Sequence, residues 1–216
     1  MVKLVRPRKV PEGLKRTNKE FLECIKGMTR EEAYRFYDEH KQKYKYNTKE
    51  TKEIFEKMNQ KRCSFCTQYI SEFEKKMTVE HIELKSVNPK KIFQWNNLLC
   101  SCGVCNSSRS TNKYKKEMYL EPTKVKGIET YFRYKLDGSI VVNENLTLEE
   151  QEKAKYMIQQ YKLDRDALNV ERRQFLEDMT DPEFYQILKK KDNSNPHIIF
   201  LSVFTYYKER VENNGK

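Results

Sequence analysis

The chain has 216 residues, of which 43 are Lys or Arg and 32 are Asp or Glu, so its formal net charge is +11. Hydrophobic residues make up 37% and aromatic residues 12%, a composition that excludes a disordered chain and suits one domain with a modest core. No apolar run reaches the roughly 18 residues of a membrane span, and residues 1–10 lack the apolar stretch of a signal peptide. We therefore expect a soluble intracellular protein with no membrane partner.

The positive charge lies in the first two thirds of the chain. Residues 1–62 contain 18 basic and 10 acidic side chains, residues 63–123 contain 9 and 6, and residues 124–216 contain 16 of each. A polyanion bound to the first two thirds would explain this asymmetry, and so would solvated helices whose charge serves solubility. Both interpretations stay open at this point.

The first 62 residues predict an extended arm followed by helices. Residues 1–13 are basic and contain two prolines, which favours an extended conformation. Helical patterns follow over residues 15–26, 30–46 and 49–58. Thr29 and Glu32 are spaced as a capping box at the start of the second helix. Three tyrosines near one face are more typical of core packing than of stacking on bases: Tyr34, Tyr37 and Tyr44.

Beyond residue 62 the pattern changes to short strands. Residues 63–69 and 77–84 predict the two arms of a hairpin, with residues 71–76 between them. A helix should begin near residue 103 and run to about residue 116. A second hairpin is predicted where Asp137-Gly138 separates two short apolar runs.

The last third of the sequence predicts mainly helices. Thr147 and Glu150 form a second capping box before a helical pattern over residues 148–161. Asp164 is expected to cap the next helix, which reaches about residue 179. Pro182 and Pro196 are each expected in the first turn of a further helix.

Four of the six cysteines form two closely spaced pairs. Each Cys-x-x-Cys pair can present two thiolates to one tetrahedral ion, so we predict a structural Zn²⁺ site made by Cys63, Cys66, Cys102 and Cys105. Disulfides are an alternative, but nothing in the sequence indicates an oxidising compartment. A redox pair would explain only one of the two motifs. Cys100 could replace Cys102 as a ligand, and Cys24 stands alone.

Polar side chains that suit phosphodiester chemistry lie between and just after these cysteine pairs. They are Glu80-His81, Asn97 within Trp95-Asn96-Asn97-Leu98-Leu99, Asn106 and Arg109. Their order and spacing resemble those of the HNH endonucleases, whose ββα-metal motif we accordingly expect over about residues 63–113. This resemblance implies a nuclease that cleaves DNA by hydrolysis.

The resemblance also implies a role for each of these residues. His81 is expected to be the general base, and imidazole suits this role because its ordinary pKa is near neutrality. Glu80 and Asn106 are expected to bind a catalytic Mg²⁺ or Mn²⁺, since hard ions prefer carboxylate and amide oxygens. Asn97 corresponds to the asparagine that braces the loop beside the base. The Zn²⁺ site would stabilise the motif without taking part in the chemistry.

Two features of the sequence limit this assignment. Adjacent residues of a strand face opposite sides, so Glu80 and His81 can act at one site only if the strand ends or is distorted there. Glu83 is the nearest substitute carboxylate if Glu80 faces elsewhere. A scaffold that kept its cysteines and lost catalysis is the alternative to an enzyme.

Basic residues around the motif are candidates for phosphate contacts. We expect Lys85, Arg109 and Lys113 to contact nucleic acid, and Arg109 above all, because three residues after Asn106 it would share the same helix face. Arg109 also matches the basic residue usual after the second cysteine pair of the family. Lys115 and Lys116 are further candidates. For each of these four lysines taken alone, a solvated helix face is the better explanation.

A narrower resemblance is to the HNH nucleases of Septu and some retron antiphage systems. It depends on residues 79–86 and 95–98, the Asp-Gly turn within residues 131–140, and the pattern of residues 163–172. A proline usual near Leu84 is absent here. The resemblance implies a bacterial cytoplasmic protein with an ATPase partner of the ABC/SMC type and, in a retron system, a reverse transcriptase with its nucleic acid.

These observations predict an α+β, mainly helical fold with three parts. Residues 1–62 form a basic helical region, residues 63–123 the ββα-metal motif with its four-cysteine zinc site, and residues 124–216 a β-hairpin with helices. The neutral last part suits docking to a protein partner, although an ordinary helical cap is equally consistent. Two alternative functions stay open: a free-standing phage or homing-type HNH nuclease, and a non-catalytic zinc-stabilised module that binds nucleic acid.

Overall fold

The fold is α+β, as predicted, and was analysed in a computed structural model that describes residues 1–70, 77–110, 113–190 and 195–214, without the side chains of 211–214. Its helices are α1 (Glu12–Cys24), α2 (Arg30–Glu39), α3 (Lys49–Asn59), α4 (Gly103–Ser108), α5 (Leu148–Gln160), α6 (Asp166–Asp178), α7 (Pro182–Lys190) and α8 (Leu201–Asn214). Its strands are β1 (Met77–His81), β2 (Leu98–Cys102), β3 (Phe132–Tyr134) and β4 (Ile140–Val142), which form two antiparallel two-stranded sheets.

An aromatic cluster joins the N-terminal helices to the middle of the chain. The ring of Phe21 on α1 lies 4.9 Å from that of Phe93 and 5.6 Å from that of Tyr44. Tyr37 and Tyr44 are buried, which confirms that they belong to the core, and Tyr34 is half-buried against it. Because Tyr44 turns back into this cluster, α2 ends at Glu39 instead of continuing to residue 46 as predicted.

The pairing predicted for the first hairpin is wrong. β1 pairs with β2, with Val79 opposite Cys100 and His81 opposite Leu98. Residues 63–69 instead fold back on themselves, because Thr67 adopts a left-handed backbone and donates its N–H to the Cys63 carbonyl at 3.0 Å. Residues 71–76, the predicted turn, lie outside the described residues. Both segments are buried, so the tight turn closed by Thr67 and not a difference in burial keeps residues 63–69 from pairing with β1.

The helix that follows the second cysteine pair is shorter than predicted. α4 ends at Ser108, and Arg109 has the extended backbone angles φ −65° and ψ 121°. The change of direction turns the Arg109 side chain into the protein. The expectation that Arg109 shares a helix face with Asn106 is therefore wrong.

The N-terminal arm packs along the middle of the chain. The Leu4 N–H donates to the Pro122 carbonyl at 3.0 Å, and Trp95 Nε1 donates to the Pro7 carbonyl at 3.1 Å. The Arg6 guanidinium donates to the carbonyls of Trp95 and Leu98, both at 2.7 Å. Part of the N-terminal positive charge is therefore used inside the protein and is not available to a polyanion.

The second hairpin forms as predicted and packs on α6. β3 and β4 pair across Asp137-Gly138, and Gly138 has a φ of +82°. Arg172 on α6 is buried and donates to the carbonyls of Leu163 at 2.8 Å and Gly138 at 3.4 Å. Its guanidinium also lies 5.5 Å from the centre of the Tyr134 ring, so one side chain joins the hairpin to the helices.

The N-terminal ends of the helices agree with the sequence at three of five predicted positions. Both capping boxes form, at Thr29 and at Thr147, and Pro182 begins α7. Asp164 does not cap α6, because its carboxylate accepts the N–H of Ile140 at 3.2 Å and Arg165 takes the capping position. Pro196 does not begin a helix either.

The segment before α8 is shaped by a buried arginine. Arg62 donates to the carbonyls of Asn195 at 2.7 Å and Ile198 at 2.9 Å, and these bonds hold the chain in a turn, so that α8 begins only at Leu201. The buried hydrophobic residues form one cluster to which all three parts of the chain contribute. Among the described residues, no helix combines the length and apolar character that crossing a membrane requires.

Candidate functional site

Four buried cysteines meet at one point, as the two Cys-x-x-Cys motifs predict. The Sγ atoms of Cys63, Cys66, Cys102 and Cys105 all lie within 4.8 Å of one another, and those of Cys66 and Cys102 are 3.9 Å apart. None of the cysteines forms a disulfide, so the disulfide alternative is wrong for these residues. The four thiols are positioned to bind one metal ion.

The local backbone explains why these four sulfur atoms converge. The Cys63 N–H donates to the Gln68 carbonyl at 3.0 Å and closes the first turn. Cys102 lies at the start of α4, where its Sγ accepts the Cys105 N–H at 3.4 Å. Hydrogen bonds from Cys105 and Cys63 lower the pKa of the Cys102 thiol, which favours the thiolate form that metals bind.

Cys100 lies outside this cluster. It is buried in the middle of β2, and its thiol donates to the Arg62 carbonyl at 3.6 Å. Its pKa is raised by burial, which keeps the thiol protonated. Cys102 and not Cys100 is therefore the member of the cluster.

His81 ends β1 and presents a neutral imidazole. Its Nε2 lies 2.9 Å from the Ile92 carbonyl, and because a carbonyl can only accept, Nε2 carries the proton and Nδ1 has a free lone pair. Burial lowers the pKa of His81 to about 3, so the ring is neutral at pH 7. The edge of the Tyr46 ring packs against it with the ring centres 4.4 Å apart.

Asn97 joins the loop after β1 to the segment before β2. Its Oδ1 accepts the Glu83 N–H at 2.8 Å, and its Nδ2 donates to the carbonyls of Glu83 at 3.2 Å and Lys91 at 3.0 Å. The Asn97 carbonyl also accepts the N–H of Ile82 at 2.8 Å. One buried amide therefore ties the loop that follows His81 to Lys91, the neighbour of Ile92, whose carbonyl bonds to His81.

Glu80 faces away from His81 and pairs with Arg109. The Arg109 guanidinium forms a buried ion pair with the Glu80 carboxylate, and the same nitrogen donates to the His81 carbonyl. The other terminal nitrogen donates to the Ile82 carbonyl at 2.6 Å. Burial raises the pKa of Glu80, against the opposing effect of the Arg109 charge. Arg109 is itself buried, so the structure places it inside the protein and not on a phosphate-binding surface.

Three tyrosines surround the Arg109 guanidinium. The ring centres of Tyr114, Tyr119 and Tyr161 lie 5.1, 5.7 and 5.9 Å from its central carbon. Tyr161 follows α5, so the C-terminal part of the chain contributes directly to the surroundings of Glu80. The sequence carries no signal for this contact, because Tyr161 is distant along the chain and belongs to no motif.

The Glu83 carboxylate is held by two lysines and an asparagine, a set of partners separate from that of Glu80. Lys91 forms an ion pair with its carboxylate, and Lys116 and Asn88 donate to it, each at 3.1 Å. Burial alone would raise the pKa of Glu83, but the bonds from these three residues outweigh it and lower the pKa to about 2. Lys116, a candidate phosphate contact, is therefore engaged with a carboxylate.

The remaining predicted residues are more accessible. Asn106 lies on α4, which packs against β1 and β2, and its half-buried side chain makes no hydrogen bond to the described part of the chain. Lys113 is exposed. Lys85 is half-buried and donates to the Tyr46 hydroxyl at 3.4 Å.

The segment between α2 and α3 is a feature that the motif did not reveal. It carries Tyr46, whose ring contacts His81, and three exposed lysines, Lys41, Lys43 and Lys45, and the exposed Lys49 begins α3 directly after it. Its alternation of lysine and tyrosine was the available signal. A separate pocket of about 260 Å³ lies against Asn97 and is lined partly by Lys91, Lys116 and Tyr114, but His81 is not part of its lining.

The fold and the site define a class of protein: a small α+β chain in which a two-stranded sheet and a short helix lie beside four cysteines that are positioned to hold a metal ion. A stretch of 66 residues is 38% identical to the Septu protein PtuB of Bacillus thuringiensis, and it covers 31% of this chain and 26% of that protein. The chain thus matches about a quarter of the relative's length. No protein-family model matches it. The resemblance to a Septu protein is confirmed over this stretch.

Proposed function

We propose that the chain is a metal-dependent HNH endonuclease that hydrolyses DNA phosphodiester bonds. The observation that supports this most is the unit of β1, β2 and α4, in which His81 is neutral with a free Nδ1 and Asn97 bonds to the loop after His81 and to Lys91. In this role His81 takes a proton from the attacking water at Nδ1. Asn97 keeps the ring in place by holding the loop that carries it.

The donor atoms fit two different metal ions. Four thiolates in one buried cluster suit Zn²⁺, which we assign to Cys63, Cys66, Cys102 and Cys105 as a structural ion. Glu80 and Asn106 offer a carboxylate and an amide oxygen of the kind that Mg²⁺ or Mn²⁺ prefers. Glu80 would have to leave its buried ion pair with Arg109 to bind such an ion. Such an ion, when bound, would neutralise charge on the phosphate.

The proposed DNA contacts are basic residues of two regions, one of which carries Tyr46 beside His81. Exposed lysines of residues 41–49 flank Tyr46, and Lys85 donates to the same tyrosine. Lys113 is exposed beyond α4. Backbone contacts of this kind supply affinity that does not depend on base sequence. Because the Tyr46 ring covers His81, this segment must shift before a phosphate reaches the imidazole.

Replacing His81 tests the proposal. The zinc-loaded full chain is incubated with supercoiled plasmid in Mg²⁺ or Mn²⁺, alone and with the ATPase partner described below, beside His81→Ala and, as control, a variant of the exposed His197, His197→Ala. We expect cleavage by the wild type and the control, and a loss of at least about 100-fold for His81→Ala, the typical contribution of a general base. Cleavage that persists in His81→Ala would refute the assignment.

A second candidate function is a non-catalytic zinc-stabilised module that binds nucleic acid. Two observations favour it: His81 is buried, and Glu80 is already paired with Arg109. It predicts DNA binding without cleavage under every metal and partner condition above. Failure of the wild type to cleave while it binds DNA would support this candidate.

We further propose that the chain is the nuclease subunit of an antiphage complex with an ABC/SMC-type ATPase. The partial identity to a Septu protein supports this, as does the neutral charge of residues 124–216. Affinity purification from the native host should recover such an ATPase, and in a retron system a reverse transcriptase also. An active monomer without a partner would instead favour a free-standing HNH nuclease.

A further inference from the structure

The Lys85 ammonium, in the loop after β1, lies among two tyrosines. Its Nζ donates to the Tyr46 hydroxyl at 3.4 Å and lies 5.3 Å and 5.5 Å from the ring centres of Tyr37 and Tyr46, within the range in which an aromatic face attracts a cation. Burial and the neighbouring Tyr46 hydroxyl raise the pKa of Tyr37, so the three groups meet at one place. Among the described residues, no carboxylate forms an ion pair with Lys85. The partners of this cation in the structure are therefore neutral groups.

The ring of Tyr46 also covers the imidazole of His81. The two ring centres are 4.4 Å apart with their planes at 81°, and His81 is only 4% exposed. Tyr46 itself is half-buried, and both of its neighbours in the chain are exposed. Tyr44, two positions earlier, is buried in the aromatic core. A local movement of residues 45–47 would therefore uncover His81 while the core stays packed.

A phosphate is a stronger partner for the Lys85 ammonium than a phenol hydroxyl is. The phosphate adds the attraction of opposite charges to the hydrogen bond, whereas the hydroxyl of Tyr46 supplies the hydrogen bond alone. A DNA phosphate that reaches Lys85 thus competes with Tyr46 for the same ammonium group. When the phosphate replaces the hydroxyl, the Tyr46 ring loses a bond that holds it over His81.

We propose that the bond between Lys85 and Tyr46 is a gating contact that responds to phosphate. In the free protein this contact holds the Tyr46 ring over His81, and a phosphate of the nucleic acid that binds Lys85 releases the ring and uncovers the imidazole. The inference rests on the proposed function, because it takes DNA as the ligand and His81 as the base. No metal ion enters it.

Labelling of histidine with diethyl pyrocarbonate measures the cover over His81 and does not require cleavage. The reagent attacks an unprotonated imidazole nitrogen, and mass spectrometry compares His81 with the exposed His197 of the same zinc-loaded full chain. We expect His81 to react more slowly than His197 in the wild type. Tyr46→Phe and Lys85→Gln each remove the gating contact and should raise the His81 rate about tenfold, the effect of losing one hydrogen bond. Tyr46→Ala should raise it further, because it removes the ring.

Two further variants control this measurement. Lys155→Gln changes an exposed lysine on α5, outside the proposed DNA contacts, and should leave the His81 rate unchanged. The double variant Tyr46→Phe with Lys85→Gln should react no faster than either single variant, because both changes remove the same bond. Tyr46→Phe, which keeps the ring, decides the outcome if Tyr46→Ala fails to fold.

Binding of a short DNA duplex without a divalent ion tests the phosphate step. If DNA binds only when the gating contact is broken, its apparent affinity is reduced by the fraction of molecules in which the contact is closed. Tyr46→Phe should therefore tighten DNA binding by the same factor by which it raises the His81 labelling rate. Lys85→Gln should lower the salt slope of DNA binding by about 1. In the Lys85→Gln background, Tyr46→Phe should no longer change DNA affinity.

The outcomes separate this proposal from the proposed function. The gating contact is wrong if Tyr46→Phe or Lys85→Gln leaves the His81 labelling rate at the wild-type value, or if their effects add in the double variant. It is also wrong if Tyr46→Phe does not tighten DNA binding, or if the wild type binds no DNA. A wild type that meets these expectations but cleaves no DNA refutes the proposed function alone. Cleavage that depends on His81 without these responses refutes the gating contact alone.

Discussion

The turn between β3 and β4 should tolerate no side chain at Gly138. A Cβ added there would lie 1.9 Å from the Asn169 carbonyl oxygen and 2.8 Å from the Arg173 nitrogen, both on the backbone of α6. Backbone atoms of a helix cannot move aside as a flexible side chain can. Gly138→Ala should therefore push the hairpin away from α6 and weaken the bond from Arg172 to the Gly138 carbonyl.

Gly27 provides a matched control for the magnitude. Both glycines have a φ of +82°, but a Cβ at Gly27 would have nothing within 4 Å. Gly27→Ala therefore carries only the cost of a left-handed alanine, about 1 kcal/mol or slightly more. Gly138→Ala adds the cost of forcing atoms into a packed contact, about 1–3 kcal/mol. We expect a loss of about 3 kcal/mol of unfolding free energy for Gly138→Ala.

Urea denaturation measures both values. The chain has one tryptophan, Trp95, which is buried and stacks on Phe55, so its fluorescence should report unfolding of the core. Zinc concentration is kept constant across the variants, because a bound metal adds to the apparent stability. If the two variants lose the same free energy, the close approach of Gly138 to α6 is not what requires a glycine there.

Three further predictions concern the metal site, a carboxylate and the charged surface. Cys63→Ser should lose the bound zinc, measured by elemental analysis, and should unfold, measured by circular dichroism. Cys100→Ser should retain both the zinc and the fold. Glu83→Gln should be less stable than the wild type near pH 7. Because the pKa of Glu83 is lowered from 4.5 to about 2, this difference in unfolding free energy should shrink as the pH falls between those values, and a constant difference would contradict the ion pairs. Lys45→Gln should lower the salt slope of DNA binding by about 1, while Lys155→Gln on α5 should not change it.

The C-terminal part of the chain, residues 124–216, also packs against the residues of the proposed site. Its neutral charge predicts a docking region or a helical cap. The contact of Tyr161 with the Arg109 guanidinium, and the stacking of the same ring on Phe65 at 3.8 Å, connect this part to the metal cluster and to Glu80. A partner that binds there would therefore act close to the residues of the proposed site.

Local patterns in the sequence were sufficient to predict several features of the structure. The spacing within each Cys-x-x-Cys pair, the two capping boxes and the Asp-Gly turn all involve residues a few positions apart, so the chain has few ways to arrange them. Within these short distances the backbone geometry follows from residue type.

Local patterns could not predict which strands pair or which charged side chains are buried, because both depend on residues far apart in the chain. The sequence predicted residues 63–69 as the partner of β1, whereas β1 pairs with β2 because residues 63–69 are closed into a turn of their own by the bond from Thr67 to Cys63. The sequence predicted Arg109 as a phosphate contact from its charge alone, because nothing in the local sequence indicates that Glu80 is its partner. The end of α4 at Ser108 turns it toward Glu80, which lies 29 positions away.

The sequence by itself determined the α+β class, the four metal-binding cysteines and the residue types of the proposed site. Only the tertiary structure decided that His81 is neutral and covered by Tyr46, and that Glu80 pairs with Arg109. The physical reason is that protonation and ion pairing depend on desolvation and on neighbours brought together by folding, which no local spacing specifies.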